Sequence, residues 1–443
     1  MKIGNELLIP CDNPFFNDKL NRKNIADNLE KIIDSSQGSL VLSIDAGWGN
    51  GKTTFIKMWK QQMDNDDKYR TLYFNAWEND DCNDPLLALI GEIEQDVLGD
   101  GTQNNSTVEK LKNIAKPLLK KAIPSALKLA TGGLLDLENV NLGDATEKGI
   151  IELVGKFGEF ELYSKQKAAK SEFKKALAEY QSKENRKIIF FIDELDRCRP
   201  TFAIETLEKI KHLFNIDSYV FVLALDKKQL SYSIQTLYGQ QMDSEGYLRR
   251  FIDFDFLLPE PDRKEYIAFL LEKYNMKTKQ THYFESYLIS AIDTFKLSLR
   301  DIDKLFYYLA LIVPTTQLFD QEKDYKPLYL EVLGLVYSLF PVLKIKNNDM
   351  YHKFVRKENI NQNNIILKVN GDYRYNYNEI MNKLVFLNND LQKENKDLSS
   401  YIIGEDKGFR DNSLNLAYLL DESKSNFVFL QQIEFVNNFT LPE

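Results

Sequence analysis

One short stretch of this chain has the residue types that phosphate chemistry needs. Ala46-Gly47-Trp48-Gly49-Asn50-Gly51-Lys52-Thr53, followed by Thr54, is a glycine-rich turn ending in a lysine and two hydroxyls. Glycines let successive backbone N–H groups turn inward around an anion. Lys52 has the reach to meet the β- and γ-phosphates of a nucleoside triphosphate, and the Thr53 hydroxyl suits Mg²⁺. The pattern fits a phosphate-binding loop, with Ala46 in place of the first glycine. An apolar run, Leu40 to Ile44, precedes the turn, and Lys52 to Gln62 follows with helical character. The turn therefore joins a buried strand to a helix whose N-terminal dipole favours an anion. The expected ligands are ATP (or GTP) and Mg²⁺. A glycine-rich turn that merely contains Gly-Lys-Thr is the rival reading, and the strand-turn-helix context counts against it.

A second set of residues completes such a site. Ile188 to Ile192 is apolar and ends in Asp193-Glu194. Asp193 is placed to hold the Mg²⁺ water shell, and Glu194 to polarise the attacking water. Hydrophobic strands also end in merely solvated carboxylates. It is the pairing with the loop that favours the catalytic reading.

Strand and helix patterns alternate around these motifs. Thr71 to Phe74, Tyr219 to Leu225 and Phe254 to Leu258 are further strands, the last stopped by Pro259 and Pro261. Pro85 to Val97 and Phe202 to Phe214 are helices. The alternation predicts an α/β fold, a parallel sheet covered on both faces. Residues 101–183 break the rhythm and read as an inserted helical region. It holds a basic stretch, Lys110 to Lys128, and a lysine-rich amphipathic helix, Lys165 to Tyr180. The chain reads as helical from Pro261 to about Lys346, and residues 346–443 as a small C-terminal helical domain.

Composition bounds the rest. A chain of 443 residues exceeds one typical core. Hydrophobic residues at 43% and charged residues at 28% are globular values, which argues against wholesale disorder. A net charge of -9 disfavours nucleic acid as the main partner. Cys11, Cys82 and Cys198 are scattered, so no disulfide framework or thiolate metal site is expected, and a reducing cytoplasm fits. His212, His282 and His352 are isolated and read as structural. The N-terminal residues lack a signal-peptide pattern. The most apolar stretch, Tyr329 to Leu343, is interrupted by Glu331 and reads as a buried helix, so no transmembrane span is expected.

The chain resembles the KAP family of P-loop NTPases. The resemblance rests on the tryptophan-bearing loop, on Phe74-Asn75-Ala76-Trp77, on Asp193-Glu194-Leu195-Asp196-Arg197-Cys198-Arg199-Pro200, and on Ala224-Leu225-Asp226. Tyr247-Leu248-Arg249-Arg250-Phe251-Ile252, before Leu257-Leu258-Pro259, looks like the segment that closes the family's core. The resemblance runs from about Asn13 to Lys346. It implies an additional-strand (ASCE/STAND-like) core over residues 1–262, containing the insert, and a helical lid over 263–345. It also implies a polar residue on a strand between the two motif strands. Asp226 matches that sensor position, and an N-cap for the next helix explains it equally well. Arg249 and Arg250 sit where relatives often place a residue that acts on a neighbouring subunit's phosphate, with a solvated face as the alternative. Arg300 falls where a second sensor would sit in the lid, with a surface ion pair as its alternative.

Many relatives carry transmembrane helices between the two motifs, whereas the insert here is polar. Its basic stretch reads as a solvated helix face. Trp77, at a strand end, reads as core packing. Trp48 cannot be fully buried and is placed to shield the nucleotide or pack on the lid.

The resemblance implies an Mg²⁺-dependent ATPase in the cytoplasm, acting as a switch or assembly motor. A homo-oligomer and a protein partner or effector chain are expected with it, in phage exclusion or antiviral defence. A scaffold with little turnover and a nucleic-acid-stimulated motor are the alternatives.

Overall fold

In the computed structural model, five strands form one parallel sheet in the order β2-β3-β4-β1-β5. The strands are β1 (Leu40–Asp45), β2 (Tyr69–Asn75), β3 (Lys187–Asp193), β4 (Tyr219–Leu225) and β5 (Phe254–Leu257). The structure describes residues 7–99, 105–119, 159–260, 262–277, 282–312, 327–355, 366–369 and 373–376. The chain divides into two units, Glu6–Glu260 and Pro261–Glu443, the latter with Met1–Asn5.

The apolar runs become strands because both faces of the sheet are covered. β4 is buried at all of its positions. Along β3 and β4 the side chains alternate between two cores, following the two-residue period of a strand. Ile189, Phe191, Val220 and Val222 face α1 (Lys23–Ser35) and α2 (Lys52–Asp64), where Trp59 and Phe55 are fully buried. Ile188, Phe190, Phe221 and Leu223 face the opposite core. That core is supplied by α3 (Pro85–Gly99), α4 (Asn105–Ala115), α5 (Glu159–Glu184), α6 (Pro200–Leu213) and α7 (Lys227–Tyr238). Phe214, after α6, packs edge-on against Phe190 and Phe221.

The strand order has a direct consequence for chemistry. β4 lies between β1 and β3, which is the additional-strand arrangement. Its register sets Asp45 against Leu225 and Asp193 against Ala224. The carboxyl ends of β1, β3 and β4 are therefore level, and the segments that follow them emerge side by side.

The insert is helical where it is described. Phe173, Ala176 and Leu177 of α5 are fully buried, as is Leu111 of α4. Lys110 pairs with Glu179 and Lys112 with Glu94, so these lysines of the basic stretch engage the protein's own helices. Residues 120–128 of that stretch lie outside the described residues.

The second unit contains α9 (Arg263–Lys273), α10 (His282–Thr294), α11 (Leu299–Ile312), α12 (Pro327–Lys346) and α13 (Asn348–Val355). The apolar stretch from Tyr329 forms part of α12, whose Tyr337, Phe340 and Leu343 are buried. Among the described residues, no helix is long and apolar enough to cross a membrane. The region from 346 departs from an all-helical reading. After α13, β6 (Ile366–Val369) and β7 (Tyr373–Asn376) pair antiparallel. The rest of that region lies outside the described residues.

Candidate functional site

The glycine-rich loop starts where β1 ends. Ala46 N donates to Leu225 O at 3.2 Å, which ties the first loop residue to the neighbouring strand. Gly49 and Gly51 have φ of 78° and 76°, a left-handed backbone that glycine adopts without penalty. Gly51 is the N-cap of α2, and Phe55 N closes the first helical turn on Gly51 O at 3.1 Å. Thr53 and Thr54 lie in that first turn. Lys52 is buried, and its Nζ donates to Ala46 O at 2.5 Å and to Gly47 O at 3.4 Å. Burial lowers its pKa, while Asp196, Asp226, Asp193 and Asp45 act in the opposite direction. The charges of four aspartates thus act on this ammonium.

Asp193 is 1% exposed and ends β3. Its carboxylate accepts from the Thr53 hydroxyl, from Tyr73 Oη at 3.0 Å and from Glu194 N at 2.9 Å. Burial raises its pKa, and these donors pull it back. Thr53 and Asp193 arrive from different strand ends and meet side chain to side chain. This all-oxygen pair fits Mg²⁺, a hard cation that takes few protein ligands and keeps its remaining positions for water and phosphate. Among the described residues, no cluster of three or more His, Cys, Asp or Glu could hold a metal alone.

Glu194 adopts φ 60°, left-handed for a residue with a side chain, as the chain leaves β3 for a single 3₁₀ turn, Leu195–Arg197. Arg197 Nη1 lies 2.9 Å from Glu194 Oε1, and its guanidinium stacks over the Trp77 ring at 5.6 Å. Trp77 is 53% exposed, which corrects its reading as a core residue. β2 ends at Asn75, so Trp77 falls on the turn beyond the covered part of the sheet and packs on Arg197 instead. Trp48 is 48% exposed, and its indole N–H donates to Asp196.

Asp226 follows β4 at the same edge. Its carboxylate accepts from Gln229 N at 3.1 Å, so it caps α7, and its charge is also felt at Lys52. The structure thus brings together Gly47 to Thr54, Asp193, Glu194 and Asp226 in one unit. Arg249 and Arg250 are exposed after α8 (Ser244–Leu248), with Arg250 over the Tyr247 ring at 5.9 Å. Arg300 is exposed in the first turn of α11 and belongs to the other unit.

Two site residues escaped the sequence reading. Tyr73 holds Asp193 from the neighbouring strand, and its hydroxyl pKa is raised by burial and by that carboxylate. Arg22 donates to the Asn50 and Gly51 carbonyls of the loop. Neither contact leaves a local spacing signal, because each partner is remote in sequence.

Sheet order, loop and acidic strand end define an additional-strand P-loop nucleoside triphosphatase fold. The model of the KAP family P-loop domain matches residues 22–316. The chain belongs to the KAP family. It is similar to the Phage T7 exclusion protein of Escherichia coli (strain K12), at 21% identity over 249 residues, which is 54% of this chain and 33% of that protein. The chain thus spans about a third of that relative's length. Among solved structures it is similar to the Aeropyrum pernix ORC2 protein in ADPNP–ADP complexes, with 13% identity, a TM-score of 0.33, and 71% and 67% of the two chains covered. The ADP form of that protein gives 12% identity and a TM-score of 0.31, with 99% and 87% covered. The fold assignment stands on the strand order and the loop.

Proposed function

We propose that this chain is an Mg²⁺-dependent ATPase that works as a nucleotide-controlled switch or assembly platform. The observation that carries the reading is the meeting of Thr53 and Asp193 beside the Lys52-bearing loop.

The loop amides and the α2 dipole bind the phosphates, and Lys52 places a point charge on the β- and γ-oxygens. Thr53 and Asp193 hold the cation; when bound, Mg²⁺ neutralises charge developing on the phosphates. Glu194 accepts a proton from the attacking water. Its backbone is set by the left-handed turn, and Arg197 holds its carboxylate on that turn until the ion pair opens to water. Asp226 serves as the sensor, Arg300 as the second sensor, and Arg250 acts on a neighbouring copy's phosphates. That last role makes the active form a homo-oligomer. Nucleic-acid stimulation is less well supported, since Lys110 and Lys112 are engaged with Glu179 and Glu94. The relative named for phage exclusion extends the proposal to antiviral defence through a partner or effector chain.

The test is Glu194→Gln. The amide keeps the shape and loses the base, so ATP affinity stays and turnover falls by about a hundredfold or more. Loss of ATP binding instead would assign Glu194 to the fold.

A further inference from the structure

Arg22 lies just before α1 and is 2% exposed. Burying a guanidinium is costly, so such a group is held by specific partners. Two of those partners are loop carbonyls. Nη2 donates to Asn50 O at 2.9 Å, and Nη1 donates to Gly51 O at 3.1 Å. Arg22 is itself fixed by Asp18, whose carboxylate accepts from the backbone N–H groups of Leu20, Arg22 and Lys23.

The geometry of the peptide unit turns these contacts into a statement about phosphate binding. In a planar trans peptide the carbonyl and the following N–H point in opposite directions. Asn50 O shares its peptide with Gly51 N–H, and Gly51 O shares its peptide with Lys52 N–H. A guanidinium that holds both carbonyls from behind the loop aims both amides to the other side. Gly51 O also accepts from Phe55 N at 3.1 Å, so α2 and Arg22 hold the Lys52 amide together, while the Asn50–Gly51 peptide, beside a glycine that populates both signs of φ, is held by Arg22 from outside the helix. The planar fork of arginine suits two adjacent acceptors, which the single ammonium of lysine does not.

We propose that Arg22 is a positioning residue of the nucleotide site, which holds the Gly51 and Lys52 amides toward the phosphates and sets positive charge behind the loop. The proposal rests on the reading that the loop binds ATP. It assigns the segment before α1 to the site, and it separates affinity from catalysis, because Arg22 touches neither Glu194 nor the cation pair.

The test compares full-length wild type, Arg22→Lys, Arg22→Gln and Lys52→Ala. ATP and ADP binding are followed by calorimetry, kcat and KM by phosphate release, and amide hydrogen exchange without nucleotide. The expected result is that Arg22→Lys weakens ATP and ADP about tenfold and Arg22→Gln weakens them more, while kcat at saturation stays within about twofold. Exchange should rise in the 46–55 peptide and stay unchanged in the 219–225 peptide of β4. A rise in both peptides for Arg22→Gln reports unfolding, and the comparison then rests on Arg22→Lys. Wild-type affinity and loop exchange in Arg22→Lys would overturn the proposal while leaving the ATP site in place. A wild-type chain that binds ATP no better than Lys52→Ala would overturn both.

Discussion

Arg197 and Glu194 form an ion pair within one turn, with Nη1 2.9 Å from Oε1, at the point where β3 delivers its carboxylates. The pair is partly exposed, so its contribution to stability is under about 1 kcal/mol. Its effect on chemistry is larger, because it holds the proposed base on its own turn. Arg197→Ala should leave the fold and ATP affinity intact and raise basal turnover by a few-fold, as the carboxylate is freed to meet water. Steady-state phosphate release at saturating ATP checks this. A fall in kcat would mean that the pair orients the base productively.

Asp193 carries a pH-dependent prediction. Burial raises its pKa above the ordinary 3.8, so the folded chain holds that proton more tightly than the unfolded chain does. Stability of the nucleotide-free chain therefore falls as pH rises from 3.8 through the raised value, and the penalty persists above it. Asp193→Asn removes that penalty. At neutral pH it should melt higher than wild type without nucleotide and lose Mg²⁺-dependent ATP binding. Thermal melts with and without Mg²⁺-ATP check both halves. A lower melting temperature without nucleotide would show that the bonds from Thr53, Tyr73 and Glu194 N outweigh the cost of burying the charge.

The parts of this fold legible in sequence are those set by local pattern. The apolar runs at Leu40, Lys187 and Tyr219 became the central strands, because a strand covered on both faces has no polar side to interrupt it. The loop stands between β1 and α2 and Asp193-Glu194 at the end of β3, where residue order alone places them. What stayed hidden depended on remote contacts. Trp59 and Trp77 are both tryptophans beside motifs, yet Trp59 is fully buried against Phe191 and Trp77 is half exposed over Arg197. Only the packing of α2 on the sheet distinguishes them. α1 buries Ala26, Leu29 and Ile33 from a largely polar sequence, a narrow stripe that is easily missed. β6 and β7 lie in an asparagine-rich region, and strands of four residues are too short to show a two-residue period.

The exposed arginines lead to a prediction about assembly. Arg250 stacks on Tyr247, and Arg249 is exposed beside it. If Arg250 completes a neighbour's site, specific activity should rise with protein concentration, and Arg250→Ala should bind ATP while turning it over about a thousandfold more slowly. Mixing Arg250→Ala with Lys52→Ala should restore part of the activity, because some interfaces then pair an intact loop with an intact arginine. Two inactive proteins that stay inactive together, with flat specific activity in wild type, would place the whole site within one chain.

The proposed function requires that the Lys52-bearing loop bind ATP and turn it over. The most direct measurement is Mg²⁺-dependent phosphate release from ATP by wild type and Lys52→Ala, with melting curves showing both folded. Lys52 donates to Ala46 O and Gly47 O rather than packing in the apolar core, so the account predicts a Lys52→Ala chain that folds and has no turnover. A folded Lys52→Ala chain that releases phosphate at the wild-type rate would contradict it.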